Sequence, residues 1–150
     1  MQIIGFNFTK ITAEKKPEFK RGNSHRTNIE FLDIKKEDTY LLMNQHTIAV
    51  NYKYSLSYFH EEKKKEKITA EIILEGNILF AADEKESAEI LKDWKKKAIP
   101  QGVKIALFNT ILRRCSPKAL LLEEEINLPP HLPIPQVSSE NPEEKKEETN

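Results

Sequence analysis

Two long runs of alternating apolar residues, joined by a charged octet, constrain this chain more than any other feature. From Thr47 to Phe59, the residues Ile48, Val50, Tyr52, Tyr54, Leu56 and Tyr58 fall on every second position. From Ile68 to Ala82 the same alternation runs through Ala70, Ile72 and Leu74, passes Gly76, and resumes at Ile78 and Phe80. Successive strand side chains point to opposite faces, so each run is one strand with one apolar face. "HEEKKKEK" between them reads as a solvated hairpin tip. Its four lysines are nearly cancelled by three glutamates, which is too balanced for a nucleic-acid patch. The second run would span roughly 50 Å if fully extended, beyond a usual strand, so Gly76 is the expected bend or bulge. Ile73, Leu79 and Ala81 make its reverse face apolar as well, which predicts cover on both sides, one of them by a partner subunit.

The segments before these runs are also extended. Ile4, Phe6 and Phe8 share a face before the phase shifts to Ile11 and Ala13, the mark of a bulge. A polar stretch from Lys15 to Thr27 reads as a loop, and "NIEFLDI" follows as a strand with Ile29, Phe31, Leu32 and Ile34. Past Asp83 the period becomes helical. Asp83 and Glu86 form a capping box, Ala88, Leu91, Trp94 and Ala98 make one face with Ile90 beside them, and Lys95, Lys96 and Lys97 suit the C-terminal end of the helix dipole. Pro100 and Gly102 break this helix. A second one carries Val103, Leu107, Thr110 and Ile111 on one face, and Ser116-Pro117 is expected to end it and start another turn. "INLPPHLPIPQV" is too rich in proline for helix or central strand and reads as extended chain. Residues 138–150, with five Glu, two Lys and no apolar side chain, read as a disordered acidic tail behind a domain covering 1–137.

Four strands followed by helices predict an α+β fold, a four-stranded antiparallel meander with helices packed on one face. The formal net charge is zero, which gives no global attraction to nucleic acid or an anionic membrane. No apolar run approaches a bilayer span and no basic-then-apolar leader opens the chain, so the reading is soluble and cytoplasmic, without membrane insertion. The single Cys115 excludes an internal disulfide. His25, His46, His60 and His131 stand apart from one another with no ligand spacing, so no metal or other cofactor is expected. Arg113 and Arg114 beside Cys115 would favour a thiolate, but on a helix the thiol reads as a small packing residue rather than a nucleophile. Glu123, Glu124 and Glu125 read as a solvated helix end. No catalytic residue is expected.

The order of elements, with "ILKDWKKKAIP", "LFNTILRRC" and "INLPP" (Ile126 to Pro130) in the second half, resembles the SecB family of protein-export chaperones. Pro100 stands where that family's first helical half ends, and Leu107-Phe108 stands where its apolar-aromatic pair lies. Two features depart from the pattern. Pro117 falls within the family's long helix, and Thr110 replaces a tyrosine. The neutral charge also differs from the acidic export-type members, which argues against a SecA-like motor as partner.

The resemblance implies an ATP-independent chaperone that holds unfolded polypeptides in apolar grooves, working as a homotetramer, a dimer of dimers. The groove candidates are Phe6, Phe8, Phe31, Leu32 and the patch Leu120, Leu121 and Leu122. Tyr52 and Tyr54 are rigid and amphipathic enough to join them, unless the tyrosine stripe packs beneath the helix bearing Trp94. The resemblance places the first helix, with Ile90, Leu91 and Trp94, at the oligomer interface, and Phe6 and Phe8 on an edge-pairing strand. The alternative is a non-enzymatic adaptor that docks one specific protein through "LPPHLPIPQV" or the acidic tail.

Overall fold

A computed structural model describes residues 1–37 and 45–139. The chain forms β1 (Gln2–Lys15), β2 (Ser24–Glu37), β3 (Gln45–Glu62), β4 (Lys65–Asp83), α1 (Glu84–Trp94) and α2 (Gln101–Glu125). The α+β expectation holds: four antiparallel strands make one sheet, and both helices pack on one face of it. The order is β1-β4-β3-β2, so only β2, β3 and β4 form a meander, while β1 is added on the far side of β4. The connection from β1 to β2 therefore crosses two strands. It is pinned by Lys16 N–H to the Thr69 carbonyl at 2.8 Å, by the Asn23 amide to Thr69 Oγ1 at 2.7 Å, and by Phe19 edge-on to Tyr58.

The octet is the hairpin tip expected. Lys63 and Lys64 make its two-residue loop, both with positive φ (52° and 64°), the geometry that matches the twist of the strands it joins. Past it, β4 runs through Gly76 without interruption, and the irregularity lies opposite, where β1 shifts register between Phe8 and Lys10. A Cβ at Gly76 would sit 1.8 Å from the Asn7 carbonyl oxygen and 2.7 Å from the Tyr52 hydroxyl. Gly76 is thus the place where the bulged neighbour comes close, not a bend of its own strand.

Asp83 caps α1 by accepting from Glu86 N–H at 2.7 Å. The reciprocal half of the capping box is absent, because the Glu86 carboxylate pairs with the Met1 amine at 3.2 Å. Ser87 and Ile90, with half-buried Leu91 and Trp94, form the inner side of α1, whereas Ala88 and Ala98 are exposed, which corrects the face read from the sequence. α1 stops at Trp94, and Lys97 turns the chain with φ 58°.

α2 does not break at Ser116-Pro117 as expected; it is continuous for 25 residues. Its buried residues are Val103, Leu107, Ile111, Cys115, Ala119 and Glu123, spaced by four throughout. A step of four overshoots a 3.6-residue turn by about 40°, so the seam winds around the helix as it crosses the twisted sheet. Ile105, Asn109, Arg113, Pro117 and Leu121 repeat on the same spacing and are all exposed. Pro117 therefore withholds its N–H on the solvent side, where the freed Arg113 carbonyl can bind water, and the helix continues through it. α2 ends in a Schellman motif. Asn127 takes φ 55°, Asn127 N–H bonds the Glu124 carbonyl and Leu128 N–H bonds that of Glu123, and Pro129-Pro130 prevent resumption.

Candidate functional site

Tyr52, Tyr54 and Tyr58 are buried beneath α2 and the chain that follows it, and each hydroxyl finds a partner. Tyr52 donates to the Asn7 carbonyl at 3.3 Å, Tyr58 donates to the Pro129 carbonyl at 2.5 Å, and Tyr54 lies 3.4 Å from His131 Nε2. Burial pushes all three phenols well above their ordinary range, and at Tyr58 the neighbouring Glu123 adds to the shift. Tyr52 and Tyr54 are thus core residues and do not face a client, which corrects the reading of them as groove residues. They also pack under α2, with Cys115 and Ser116 beside them, rather than under the helix of Trp94.

Glu123 reverses a second reading. It is buried at the helix end, not solvated, and it accepts from His131 N–H at 2.7 Å and pairs with His131 Nδ1. This contact folds residues 128–131 back as a strap over the tyrosine hydroxyls, with Leu128 in the core. Sequence reading had no signal for it, since one buried glutamate among three looks like its exposed neighbours.

The strap leaves an apolar groove of about 580 Å³ against α2, lined by Leu120, Leu121, Leu128, Pro130 and Ile134, with Pro117 and Glu124 at its rim. A second groove, of about 500 Å³, opens between β2 and the turn joining the helices, with Phe31, Leu32, Trp94 and Ile99 among its lining residues and Lys97 and Lys104 at its edge. Leu32 is the extra residue of a bulge between Phe31 and Asp33, and this turns its side chain outward. Lys104, Phe108, Leu112, Ser116, Leu120 and Glu124 recur every fourth residue, a row that winds beside the buried seam, so both grooves lie on the same side of that seam although they face different ways around the helix axis. Phe108 stacks near Phe31 at 5.2 Å between centroids, tying the middle of that row to β2. Lys104 and Leu120 stand about 24 Å apart along the helix axis.

No family model and no curated protein sequence matches the chain. Among solved structures, a SecB-like chaperone of Mycobacterium tuberculosis, in complex with a ChAD peptide from an antitoxin, is similar in fold. It aligns over 91% of this chain and 90% of its own at 14% identity, with a TM-score of 0.45.

The other candidate residues are dispersed. Phe6 and Phe8 sit on β1, at the opposite edge of the sheet, where Phe6 stacks on Tyr52 and carries the Arg114 guanidinium at 5.1 Å. Leu122 is half-buried against the core rather than in the groove of Leu120 and Leu121. Ile90 is 1% exposed within its own subunit, so it cannot form an interface while the fold is intact, whereas Trp94 lines a groove and Leu91 packs beneath. Phe108 and the lysine rim were missed as site residues, and no periodicity marks them: Lys97 lies before α2, and the four-residue spacing is shared by its buried and exposed rows. Cys115 is fully buried and its thiol is pushed up to about 12, chiefly by burial, so it stays protonated at neutral pH and offers no nucleophile. Among the described residues no cluster of ligating side chains is suited to a metal ion, and no helix is long and apolar enough to cross a membrane.

Proposed function

We propose that the protein is a non-enzymatic, ATP-independent holding chaperone of SecB-like type, acting in the cytoplasm on extended apolar segments of unfolded polypeptides. The observation that carries this reading is a pair of open grooves beside α2, an apolar one under the strap and one of mixed lining with Phe31, Leu32, Trp94 and Ile99 in it, about 24 Å apart along the helix axis. Beside the groove at the interhelical turn runs β2, an edge strand of the sheet whose outer backbone groups are available to pair with an extended client. The element order read from the sequence supports the same assignment. Each groove alone gives weak binding, so tight holding needs both grooves, or several subunits, to engage one client.

Assembly belongs to the same proposal. β1 offers a second edge for pairing between subunits, and the exposed row of α2, with Ile105 and Leu121, offers a helix-side contact between dimers. The test is to mix purified protein with a client as it unfolds and follow light scattering. Suppression of aggregation for unrelated clients at near-stoichiometric ratio is expected. If unrelated clients aggregate unhindered while one protein is retained at fixed stoichiometry, the protein is an adaptor. One feature favours that second reading: beyond the strap, Leu132, Ile134 and Val137 are exposed on a proline-rich segment.

A further inference from the structure

Beyond general apolar holding, and resting on that reading, we propose that the groove between β2 and the interhelical turn selects extended segments in which apolar residues are flanked by acidic ones. The inner lining provides the apolar part: Phe31, Leu32, Trp94 and Ile99. The rim provides the charge. Lys97 Nζ stands 4.6 Å from the Trp94 ring centroid, and Lys104 Nζ stands 5.6 Å from that of Phe108. Lys97 therefore lies against the Trp94 wall of the groove, and Lys104 lies over Phe108, the neighbour of the lining residue Phe31. Among the described residues, neither lysine is within ion-pair distance of a carboxylate. Glu30 is the only acid in the lining.

The surroundings add to this sign. Residues 92–104 contain five lysines and one acid, Asp93, in a chain whose net charge is zero. α2 begins at the same rim with no side-chain cap and no acidic residue in its first turn, so the positive end of its dipole stays uncompensated there. A client carboxylate placed near Lys97 or Lys104 gains a charge partner while its neighbouring Leu or Phe enters the groove. A client lysine at the same place meets like charge.

Trp94 is the only tryptophan, so its emission reports on this groove. The full-length protein is titrated with two peptides sharing one Leu- and Phe-containing centre, one flanked by Glu and the other by Lys. The acidic peptide is expected to bind roughly three- to tenfold more tightly at low salt, with the difference collapsing above about 0.5 M salt. The double variant Lys97→Glu, Lys104→Glu, at two exposed positions, is expected to stay folded and to invert the order. Equal affinities, or an unchanged order in the double variant, overturn the proposal while leaving general holding intact. If Trp94 emission responds to neither peptide but aggregation is still suppressed, clients are held elsewhere and this groove is not their site. A change in Trp94 emission with protein concentration alone would seat a second copy in the groove and likewise overturn the proposal. Failure to suppress aggregation together with normal acidic-peptide binding would instead remove the holdase reading.

Discussion

Glu123 is the clearest case in which a single side chain decides local architecture. Its carboxylate is withdrawn from water and compensated by two donors of His131, one of them a backbone N–H. Glu123→Ala leaves those donors buried without an acceptor, and a loss of about 3–5 kcal/mol is expected in urea unfolding. Glu123→Gln keeps an acceptor and should lose markedly less. Cys115 makes the opposite kind of prediction. Its folded-state ionisation lies at about 12 against an ordinary 9.0, because burial disfavours the thiolate. A group raised in this way contributes fully below pH 9 and loses its contribution as pH climbs from 9 towards 12, since only the unfolded thiol ionises there. Unfolding midpoints should fall over that window, and Cys115→Ala should remove the thiol's share of the slope. The buried tyrosines, shifted in the same direction, extend the decline above pH 10. At neutral pH, a thiol reagent should label native protein only as fast as it opens.

Among the elements, α2 holds a proline where a helix ordinarily breaks, and the position of the ring on the exposed row makes this tolerable. Pro117→Ala restores a hydrogen bond to Arg113 and a better helix former, at an exposed ring that contributes only to the rim of a groove. A gain of about 1–3 kcal/mol is expected, read as a higher thermal midpoint. A loss instead would show that Pro117 is needed at the rim of the Leu121 groove. How much could be read beforehand divides along the same lines. The β3–β4 hairpin was legible because Ile48 to Tyr58 and Ala70 to Ala82 alternate without error around a charged two-residue turn. The phase shift after Phe8 announced the β1 bulge, but Gly76 was credited to the wrong strand, since a close approach depends on a neighbour that local sequence does not show. The helix seam was only half legible: Val103, Leu107 and Ile111 fit any 3.6-residue stripe, while Cys115, Ala119 and Glu123 follow a winding set by sheet twist. Of the candidate grooves, Phe31, Leu32, Leu120 and Leu121 were named through the resemblance rather than from periodicity, which sets Phe31 in line with Ile29 and against the core. The strap was not, because its anchors are polar and far apart in sequence.

For the whole molecule, the distinction between core and surface on the helix layer decides how assembly can be probed. Ile90→Asp places an unpaired charge in the core and should unfold the protein, by more than about 4 kcal/mol, rather than dissociate it. Ile105→Asp with Leu121→Asp, both on the exposed row, should leave the circular dichroism spectrum unchanged and lower the solution mass. An unchanged mass would assign any assembly to the sheet edges instead. The strand order has a consequence in time as well as space. β1 is made first, yet its partners are residues 70–81 of β4, so it leaves the ribosome with Phe6 and Phe8 exposed and waits for most of the domain to be synthesised. β2, β3 and β4 can meanwhile zip up as successive hairpins. Closing the long β1–β4 loop comes late and carries the largest entropy cost, so the newborn chain passes through an interval in which it is itself an unfolded segment with apolar residues on display.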